Sequence, residues 1–226
     1  VLSGFVHTCQ RIKTLKTLLK SIKPNAVVSF FADINILSIL AGRSAGVPVI
    51  ITERSHPGKK SIPLRWRIAS FIFYRFARQL VIQTREAERY YRSFGVDTSV
   101  IPNPVPPQNV SEDKEREEMI LGVGRLATVK GFDRLIRAYS QSGISDRWKL
   151  IILGEGEKRA ELEALIRELG MDQNVFLPGL VKNIAQYYKR ASMFVLSSYY
   201  EGFPNALAEA MSAGIPCISF DCQYGP

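Results

Sequence analysis

Short apolar runs, rich in β-branched residues, alternate along the whole chain with longer stretches whose apolar residues recur every three or four positions. In the first half these runs are VVSFF at 27–31, VPVIIT at 47–52 and QLVIQT at 79–84. Strands that alternate with helices of this length are typical of βαβ units and parallel sheets. The segments between the runs predict helices at 9–22, 34–45, 62–77 and 85–94.

The second half shows the same alternation. One of its runs, LIIL at 150–153, has apolar residues in consecutive positions, which indicates a strand buried on both faces. The chain is therefore predicted to be an α/β protein with two Rossmann-like, parallel-sheet units. The predicted strands of this half are 119–124, 148–154, 174–179, 193–198 and 216–220, and the predicted helices are 131–142, 157–169, 182–191 and 205–213.

A proline-rich segment separates the two halves. Residues 101–118 (IPNPVPPQNVSEDKEREE) carry four prolines and then a charged run. Because proline lacks a backbone N–H and has a fixed φ, this segment fits neither a helix interior nor a central strand. We interpret 1–105 as the first unit, 106–118 as the linker and 119–226 as the second unit. Val1 is not an initiator methionine and the chain stops just after an apolar run, so we expect both units to be truncated.

The charge distribution separates the two halves further. Of the net +9, residues 1–110 hold 16 Lys and Arg against 5 Asp and Glu, whereas 111–226 hold 14 against 16. The basic residues are scattered and no nucleic-acid motif accompanies them, so a phosphate-bearing substrate or a membrane surface explains the charge without nucleic acid. The three cysteines lack metal-ligand spacing and indicate reduced thiols in a cytoplasmic protein. No apolar run reaches the roughly 18–20 residues that span a bilayer.

Candidate binding residues follow the predicted strands of the second half. In an open parallel sheet, ligands bind at the carboxyl ends of strands. Gly124 is followed by Arg125 and Lys130, which suit a diphosphate, although two solvated cations beside a glycine turn remain the alternative. In LGEGE, Gly154 lets the backbone approach a ligand closely. In LPGL, Gly179 and Leu180 could lie against a flat nucleobase.

The stretch EGFPNALAE, 201–209, holds two glutamates around a predicted helix start. We expect Asn205 to cap a helix that begins at Ala206, where free N–H groups favour phosphate. Glu209 could accept hydrogen bonds from ribose hydroxyls, and Glu201 could reach another part of the ligand. The alternative is a solvated Glu201 and a Glu209 that only favours the helix dipole. The apolar composition of the helix predicts burial, which favours the first reading. The loop also contains Gly202, Phe203 and Pro204.

Two features of the first half have competing explanations. His56 lies in the loop TERSHPGKK after a predicted strand, and it is a candidate substrate contact or a surface histidine among cations. The basic, aromatic segment 65–78 is either a membrane-surface helix or a core-facing helix whose arginines reach solvent. We favour the core-facing helix, with Trp66, Ala69, Phe73 and Phe76 along its inner side.

The order of these motifs is more specific than any one of them. GxGR-x4-KG, GxGE, V-x-LPG and S-x2-EGFPN-x3-E-x4-GIP follow one another through 119–226. This order resembles the C-terminal nucleotide-sugar domain of family-four glycosyltransferases with the GT-B fold, and the Glu201-x7-Glu209 element is its most specific part. Upstream, VVSFF, TERSHP, QLVIQT and IPNPV resemble the later part of the family's N-terminal acceptor domain.

The resemblance implies a retaining glycosyltransferase. It would move a sugar from a UDP-linked donor to a hydroxyl acceptor in lipid-linked or surface glycan synthesis. It implies that Arg125 and Lys130 bind the diphosphate and neutralise the leaving group, that Glu209 holds the ribose, and that Glu201 contacts the transferred sugar. The implied role of the backbone from Gly202 to Asn205 is contact with sugar and phosphate, that of Gly179 and Leu180 is to flank the base, and that of His56 is to face the sugar.

The resemblance also sets expectations about partners and location. No Asp-x-Asp pair is present, so we expect neither a metal nor a cofactor beyond the donor. We expect a cytoplasmic protein with peripheral contact at the membrane, since the basic half suits a lipid-linked acceptor. The family's glycine-rich loop would precede Val1, and its last helices would follow Pro226. The alternatives are a sugar-nucleotide epimerase of the same architecture, and a nucleotide- or membrane-binding module without catalysis.

Overall fold

The computed structural model describes residues 2–54, 63–107 and 116–222, with side chains from residue 7 onward. The chain divides into two compact units, Val1–Asn103 and Pro104–Pro226, each built on its own sheet. Every strand pairing among the described residues is parallel. The predicted α/β class with two parallel-sheet units is confirmed.

In the described part of unit 1, four strands lie in the order β1-β2-β3-β4. The sequence pattern did not predict β4, because it is a three-residue, half-buried edge strand with two polar residues. Helix α1 packs on α2, and the apolar face of α2 covers the sheet. The elements are α1 Leu2–Ile22, β1 Val27–Phe30, α2 Ala32–Ala45, β2 Val49–Glu53, α3 Leu64–Phe73, β3 Gln79–Ile82, α4 Arg85–Tyr91 and β4 Thr98–Val100.

Helix α3 is shorter than predicted, since it ends at Phe73 and a 3₁₀ turn, Tyr74–Phe76, follows. Trp66, Ala69 and Phe73 pack against the core of unit 1, which confirms the core-facing interpretation for these three residues. Phe76 is exposed, so its assignment to the inner side was wrong. The turn changes the helical periodicity and directs Tyr74 inward instead.

In the described part of unit 2, five strands lie in the order β7-β6-β5-β8-β9. The chain builds one side of the sheet from β5 outward through β6 and β7, and then returns to place β8 on the other side of β5. This reversal between neighbouring strands marks the crevice in which open α/β sheets bind ligands. The elements are β5 Glu117–Val123, α5 Phe132–Gln141, β6 Lys149–Leu153, α6 Arg159–Glu168, β7 Val175–Gly179, α7 Ile184–Arg190, β8 Ala191–Leu196, α8 Asn205–Ser212 and β9 Cys217–Ser219.

Helices cover both faces of this second sheet. Apolar residues of α5 and α6, among them Ile136 and Leu165, form one core with inward residues of β5 and β6. Tyr188 of α7 and Leu207 of α8 belong to the other core, on the opposite face. This is the doubly wound arrangement that near-continuous apolar strands require.

The segment predicted as the linker, 106–118, is hydrogen-bonded to the rest of unit 2 through the described residues that flank 108–115. The Ser212 hydroxyl donates to the Pro106 carbonyl (3.2 Å). Arg116 donates to the carbonyls of Tyr188, Ala191 and Ala213, at 3.1, 2.8 and 2.7 Å, near the ends of α7 and α8. Strand β5 begins at Glu117, so 117 and 118 are strand residues although they were assigned to the linker.

Each unit contains one of the two tryptophans of the chain. Trp66 packs against the core of unit 1, and Trp148 packs against a core of unit 2. The Trp148 carbonyl also accepts a hydrogen bond from the Tyr139 hydroxyl.

Candidate functional site

The ends of β5, β6 and β7 meet at one edge of the sheet of unit 2. The Gly124 amide donates to the Leu153 carbonyl and the Gly154 amide to the Gly179 carbonyl, both at 3.0 Å. Three glycines from three separate motifs are thereby brought together, as the parallel arrangement predicts.

Gly154 shows why a side chain is excluded at this edge. Its φ is +140°, and a Cβ atom there would lie 1.9 Å from the carbonyl oxygen of Gly124. Any other residue would combine backbone strain with a direct backbone clash. The loops after β5 and β6 are therefore in backbone-to-backbone contact, which forms a flat surface at the strand ends.

A pocket of about 440 Å³ opens above this surface. Five predicted site residues line it: Gly124, Arg125, Gly154, Gly179 and Leu180. Its volume lies within the roughly 300–1,000 Å³ of small-molecule sites, and walls of backbone and aliphatic groups suit a flat apolar group such as a nucleobase. The remaining lining residues are Val123, Leu153, Glu155, Val181 and Ile184.

One wall of the pocket is held by an arginine that the motifs did not identify. Arg159 donates to both oxygens of Glu155 at 2.7 and 2.8 Å, and to the Leu177 carbonyl at 3.2 Å. The guanidinium beside Glu155 lowers the pKa of that carboxyl below its ordinary value. Glu155 is therefore a partner of Arg159 beside Gly179. The available signal was the i,i+4 spacing of the two residues.

The second part of the site is an ion pair beyond the end of β8, between a half-buried lysine and a buried glutamate. Glu201 is 8% exposed, and its Oε1 atom lies 2.7 Å from Lys130 Nζ. The Ser198 hydroxyl donates to the same oxygen at 2.6 Å. The alternative of a solvated Glu201 is therefore wrong, and Lys130 is not a free surface cation. The pair forms because β5 and β8 are neighbours, so the loops that follow them meet.

Lys130 also connects the ion pair to the pocket. Its Cε atom lies 3.2 Å from the position that a Cβ atom of Gly124 would occupy, so the lysine stem passes directly over Gly124. Arg125, next in the chain, is exposed at the pocket rim. Two positive side chains from one loop therefore lie beside the pocket, as the diphosphate prediction requires.

Helix α8 starts one residue earlier than predicted. Asn205 is its first residue and Pro204 holds the N-cap position, so the prediction that Asn205 caps a helix beginning at Ala206 is wrong. The prediction that this apolar helix is buried is confirmed on one face only. Leu207 and Ala210 are buried against the sheet, while Met211 is 64% exposed on the outer face. Gly202, Phe203 and Pro204 are half-buried in the loop between the ion pair and the helix.

Glu209 lies on α8 and is oriented by a tyrosine. The hydroxyl of Tyr188, which is fully buried, donates to Glu209 Oε2 at 3.0 Å. Burial, followed by the charge of Glu209, raises the pKa of Tyr188, so the phenol stays a donor. Among the described residues Glu209 Oε1 accepts no hydrogen bond, which leaves that oxygen available to a ligand hydroxyl.

Unit 1 carries a different carboxyl at its own strand ends. His56 lies outside the described residues. Glu53, the last residue of β2, is 7% exposed and accepts hydrogen bonds from the Tyr74 hydroxyl and from Asn35 Nδ2 (3.2 Å). Burial raises the pKa of Glu53 from 4.5 to about 7, the charge of Asp33 adds to this, and the two hydrogen bonds oppose it.

Within 2–54, 63–107 and 116–222, no cluster of three or more His, Cys, Asp or Glu side chains could hold a metal ion. Over the same ranges, no helix combines the length and the apolar character needed to cross a membrane.

Two family models match adjoining parts of the chain. The model described as "Glycosyl transferases group 1" matches residues 107–226, which include the pocket and the ion pair. The model described as "Glycosyltransferase Family 4" matches residues 2–109. Together they cover both units.

A curated relative is the GalNAc-α-(1→4)-GalNAc-α-(1→3)-diNAcBac-PP-undecaprenol α-1,4-N-acetyl-D-galactosaminyltransferase of Campylobacter jejuni. It is 29% identical, and the alignment covers 93% of this chain and 59% of the relative. The chain spans less than two thirds of the length of the curated relatives that it matches first.

Solved structures of the GT-B fold are similar over nearly the whole chain. The lipopolysaccharide outer core galactosyltransferase WaaB, in its apo form, is 26% identical with a TM-score of 0.76, over 100% of this chain and 64% of that one. HepE of Anabaena, in complex with UDP and glucose, is 18% identical with a TM-score of 0.81, over 94% of this chain and 63% of that one. The predicted GT-B architecture is confirmed.

Proposed function

The chain belongs to the group 1 glycosyl transferases, a family of GT-B glycosyltransferases, and we propose that it is the site-bearing part of a retaining enzyme. The whole enzyme moves a sugar from a UDP-sugar to a hydroxyl acceptor in the synthesis of a lipid-linked or surface glycan. The observation that carries the proposal is the pairing of Lys130 with the buried Glu201 beside a nucleotide-sized pocket at the strand ends.

The pocket and the ion pair bind different parts of the donor. The base lies against the backbone of Gly179 and Leu180, within the pocket that these residues line. Glu209, oriented by Tyr188, accepts from the ribose hydroxyls through its available oxygen. The diphosphate meets Arg125 and Lys130, whose positive charges lie beside the pocket.

Charge neutralisation is the main catalytic contribution of these residues. When the bond between sugar and phosphate breaks, negative charge builds on the departing diphosphate. Lys130 and Arg125 stabilise that charge. Lys130 does so without rearranging, because Glu201 holds its ammonium and the Ser198 hydroxyl donates to the same Glu201 oxygen. Glu201 then contacts the transferred sugar, together with the backbone of the loop from Gly202 to Asn205. His56 is proposed to face the sugar from unit 1.

The names of similar proteins support the proposed classes of donor and acceptor. HepE was solved with UDP and glucose, which supports a UDP-sugar donor. The name of the Campylobacter relative contains a diphosphate-linked undecaprenol acceptor, which supports a lipid-linked acceptor here.

Peripheral contact with the cytoplasmic face of a membrane is supported by helix α3. Leu64, Ile68, Phe71 and Ile72 are exposed on its outer side, and Arg65 and Arg67 belong to the same helix. Apolar side chains interleaved with arginines suit an anionic lipid surface.

Transfer by the full-length enzyme tests the site assignment. A panel of nucleotide-sugars is offered with a lipid-linked acceptor, products are identified by mass spectrometry, and the anomeric configuration is determined by NMR. We expect Lys130→Ala and Glu201→Gln each to lower kcat by about 100-fold, as for the loss of one preorganised electrostatic contact.

The controls are Lys189→Ala and Glu168→Gln, which remove equal charges from exposed positions of unit 2. Full activity in both site variants would refute the assignment. Inversion at the anomeric carbon would refute retention, and release of a free epimerised sugar without acceptor would favour the epimerase alternative.

A further inference from the structure

Arg134, near the start of α5, holds the backbone that follows β8. Its Nε atom donates to the Ser197 carbonyl and its Nη2 atom to the Ser198 carbonyl, both at 2.6 Å. These two residues come directly after the last residue of β8, and both are buried. Short, charge-assisted bonds to two successive carbonyls fix the direction in which the chain leaves the strand.

Each of these serines contacts one member of the ion pair. The Ser197 hydroxyl donates to the backbone carbonyl of Lys130 at 2.7 Å, and the Ser198 hydroxyl donates to Glu201 Oε1 at 2.6 Å. Arg134 is therefore connected to Lys130 through one serine and to Glu201 through the other, although it contacts neither side chain of the pair in the described structure.

The guanidinium of Arg134 also lies over two aromatic rings. Its central carbon lies 4.2 Å from the ring centre of Tyr199 and 3.8 Å from that of Phe220. A planar guanidinium can contact aromatic rings while its edge donates to two carbonyls in a fixed geometry, which an ammonium cannot do. The site therefore requires arginine in particular.

Gly131 shows how tightly this region is packed. A Cβ atom there would lie 2.3 Å from the Ser197 carbonyl oxygen and 2.9 Å from Arg134 Nε, and its φ is +60°. The residue after Lys130 is thus in contact with the arginine and with the carbonyl that the arginine holds. The Tyr199 amide also donates to the Val129 carbonyl at 2.9 Å. The loops after β5 and β8 form one connected unit around Arg134.

We propose that Arg134 is a positioning residue for the donor site. By holding the carbonyls of Ser197 and Ser198, it sets the two loops so that Lys130 and Glu201 meet beside the pocket. This inference rests on the proposed function, because the ligand group that the positioned Lys130 binds is the diphosphate of the donor.

The first test measures nucleotide affinity of the 226-residue chain by calorimetry. The probes are UDP and uridine, with GDP and ADP in parallel. We expect Arg134→Gln and Arg134→Lys to weaken UDP binding by about tenfold, as for one weakened charged contact, and to leave uridine binding unchanged. The control, Arg137→Gln, removes the same charge from an exposed position of the same helix and should bind UDP as the parent does.

A mutant cycle separates positioning from general destabilisation. In the Lys130→Ala background, Arg134→Gln should change UDP affinity by less than about twofold, since the residue through which it acts is gone. An equal loss in both backgrounds, or a parallel loss of uridine binding, would assign Arg134 a structural role only and overturn the proposal.

A second test needs no ligand. Hydrogen exchange at the Tyr199 amide reports the contact between the two loops. We expect faster exchange there in both Arg134 variants than in Arg137→Gln, with protection in β6 unchanged. Unchanged exchange at Tyr199 would overturn the proposal whatever the nucleotide result. Failure of the parent chain to bind any of the nucleotides would count against the proposed function, while the exchange result would still decide the role of Arg134.

Discussion

Two buried glutamates, one in each unit, lie at or beyond the ends of parallel strands and are almost equally shielded from solvent. Glu53 meets the neutral donors Tyr74 and Asn35, and burial raises its pKa to about 7. Glu201 meets the ammonium of Lys130 and the hydroxyl of Ser198. For Glu53 the two neutral donors offset only part of the cost of burial. Glu201 differs in having a cation at contact distance.

The net charge of a unit does not determine whether its charged side chains form ion pairs. Unit 1 contains most of the excess positive charge, but all six ion pairs found among the described residues lie in unit 2. Several described cations of unit 1 lie over aromatic rings instead, among them Arg43 over Phe76 and Arg54 over Phe30. Near Glu53, Asn35 Oδ1 has no hydrogen-bond partner within the described part of the chain, in contrast to the paired groups around Glu201.

Removing the cation that pairs with Glu201 should have the largest effect on stability. Lys130→Ala leaves Glu201 buried without its partner, and we expect the unfolding free energy of unit 2 to fall by about 4 kcal/mol. Urea unfolding measures the change. The double variant Lys130→Met with Glu201→Gln should recover most of it, because no buried charge remains. A loss equal to that of exposed Lys189→Ala would contradict the comparison.

Removing the charge of Glu53, which has no cation partner among the described residues, should instead raise the unfolding free energy of unit 1. The size of this increase should depend on pH. The folded pKa of Glu53 is about 7 and its ordinary value is 4.5, so between these pH values the folded state binds more protons than the unfolded state. The stability of unit 1 therefore falls as pH rises from 4.5 to 7 and then levels off, by about 3 kcal/mol in all.

Glu53→Gln should abolish this slope, so that the variant equals the parent near pH 4.5 and exceeds it at pH 8. Unfolding free energies at several pH values measure the difference. Glu86→Gln, on the exposed side of α4, removes the same charge and should keep the parent's slope. A variant that retains the slope would show that another group causes it.

A smaller effect is expected where a glutamate loses a neutral donor. Tyr188→Phe removes the hydroxyl that orients Glu209, and we expect a loss of about 1.5 kcal/mol because a hydrogen bond to a charged group disappears. Thermal unfolding provides the measurement, and Tyr187→Phe, at the neighbouring half-buried position, is the control. Equal shifts in the two variants would mean that the Tyr188 hydroxyl contributes nothing specific.

The smallest effect is expected at an exposed pair. Arg190 and Glu117 form two hydrogen bonds at 2.6 and 2.8 Å, but both side chains are 51% exposed. Arg190→Gln should cost about 0.5 kcal/mol or less, and the difference should disappear in high salt. A cost comparable to that of Lys130→Ala would show that burial is not what distinguishes the two pairs.

The sequence was a good guide to elements with strong apolar periodicity. Strands β1, β2 and β3 and all of β5 to β9 lie where their apolar runs predict them. Strand β4, Thr98–Val100, is short, polar and at an edge, so it carries no such signal. The ends of α3 and the start of α8 differ from prediction because backbone turns at Tyr74 and Pro204, and not side-chain patterns, determine them.

Site residues within the motifs could be predicted from the sequence, whereas the residues that position them could not. Lys130 and Glu201 are 71 residues apart, and only the pairing of β5 with β8 brings them together. Arg134 looks like an ordinary helix residue until that pairing is known, and so does Tyr188 until α7 and α8 are known to share one core. Glu53 was overlooked because its partners, Asn35 of α2 and Tyr74 of the 3₁₀ turn, are distant in sequence, whereas its sequence context, TERSHP, is that of a polar loop.

The distribution of tryptophan has a practical consequence for these measurements. Since Trp66 reports on unit 1 and Trp148 on unit 2, each unit has its own intrinsic fluorophore. Replacing either indole by phenylalanine gives a chain whose emission follows a single unit. The two unfolding transitions can then be recorded in separate cuvettes with no added dye, and each glutamate can be assigned to the transition that it alters.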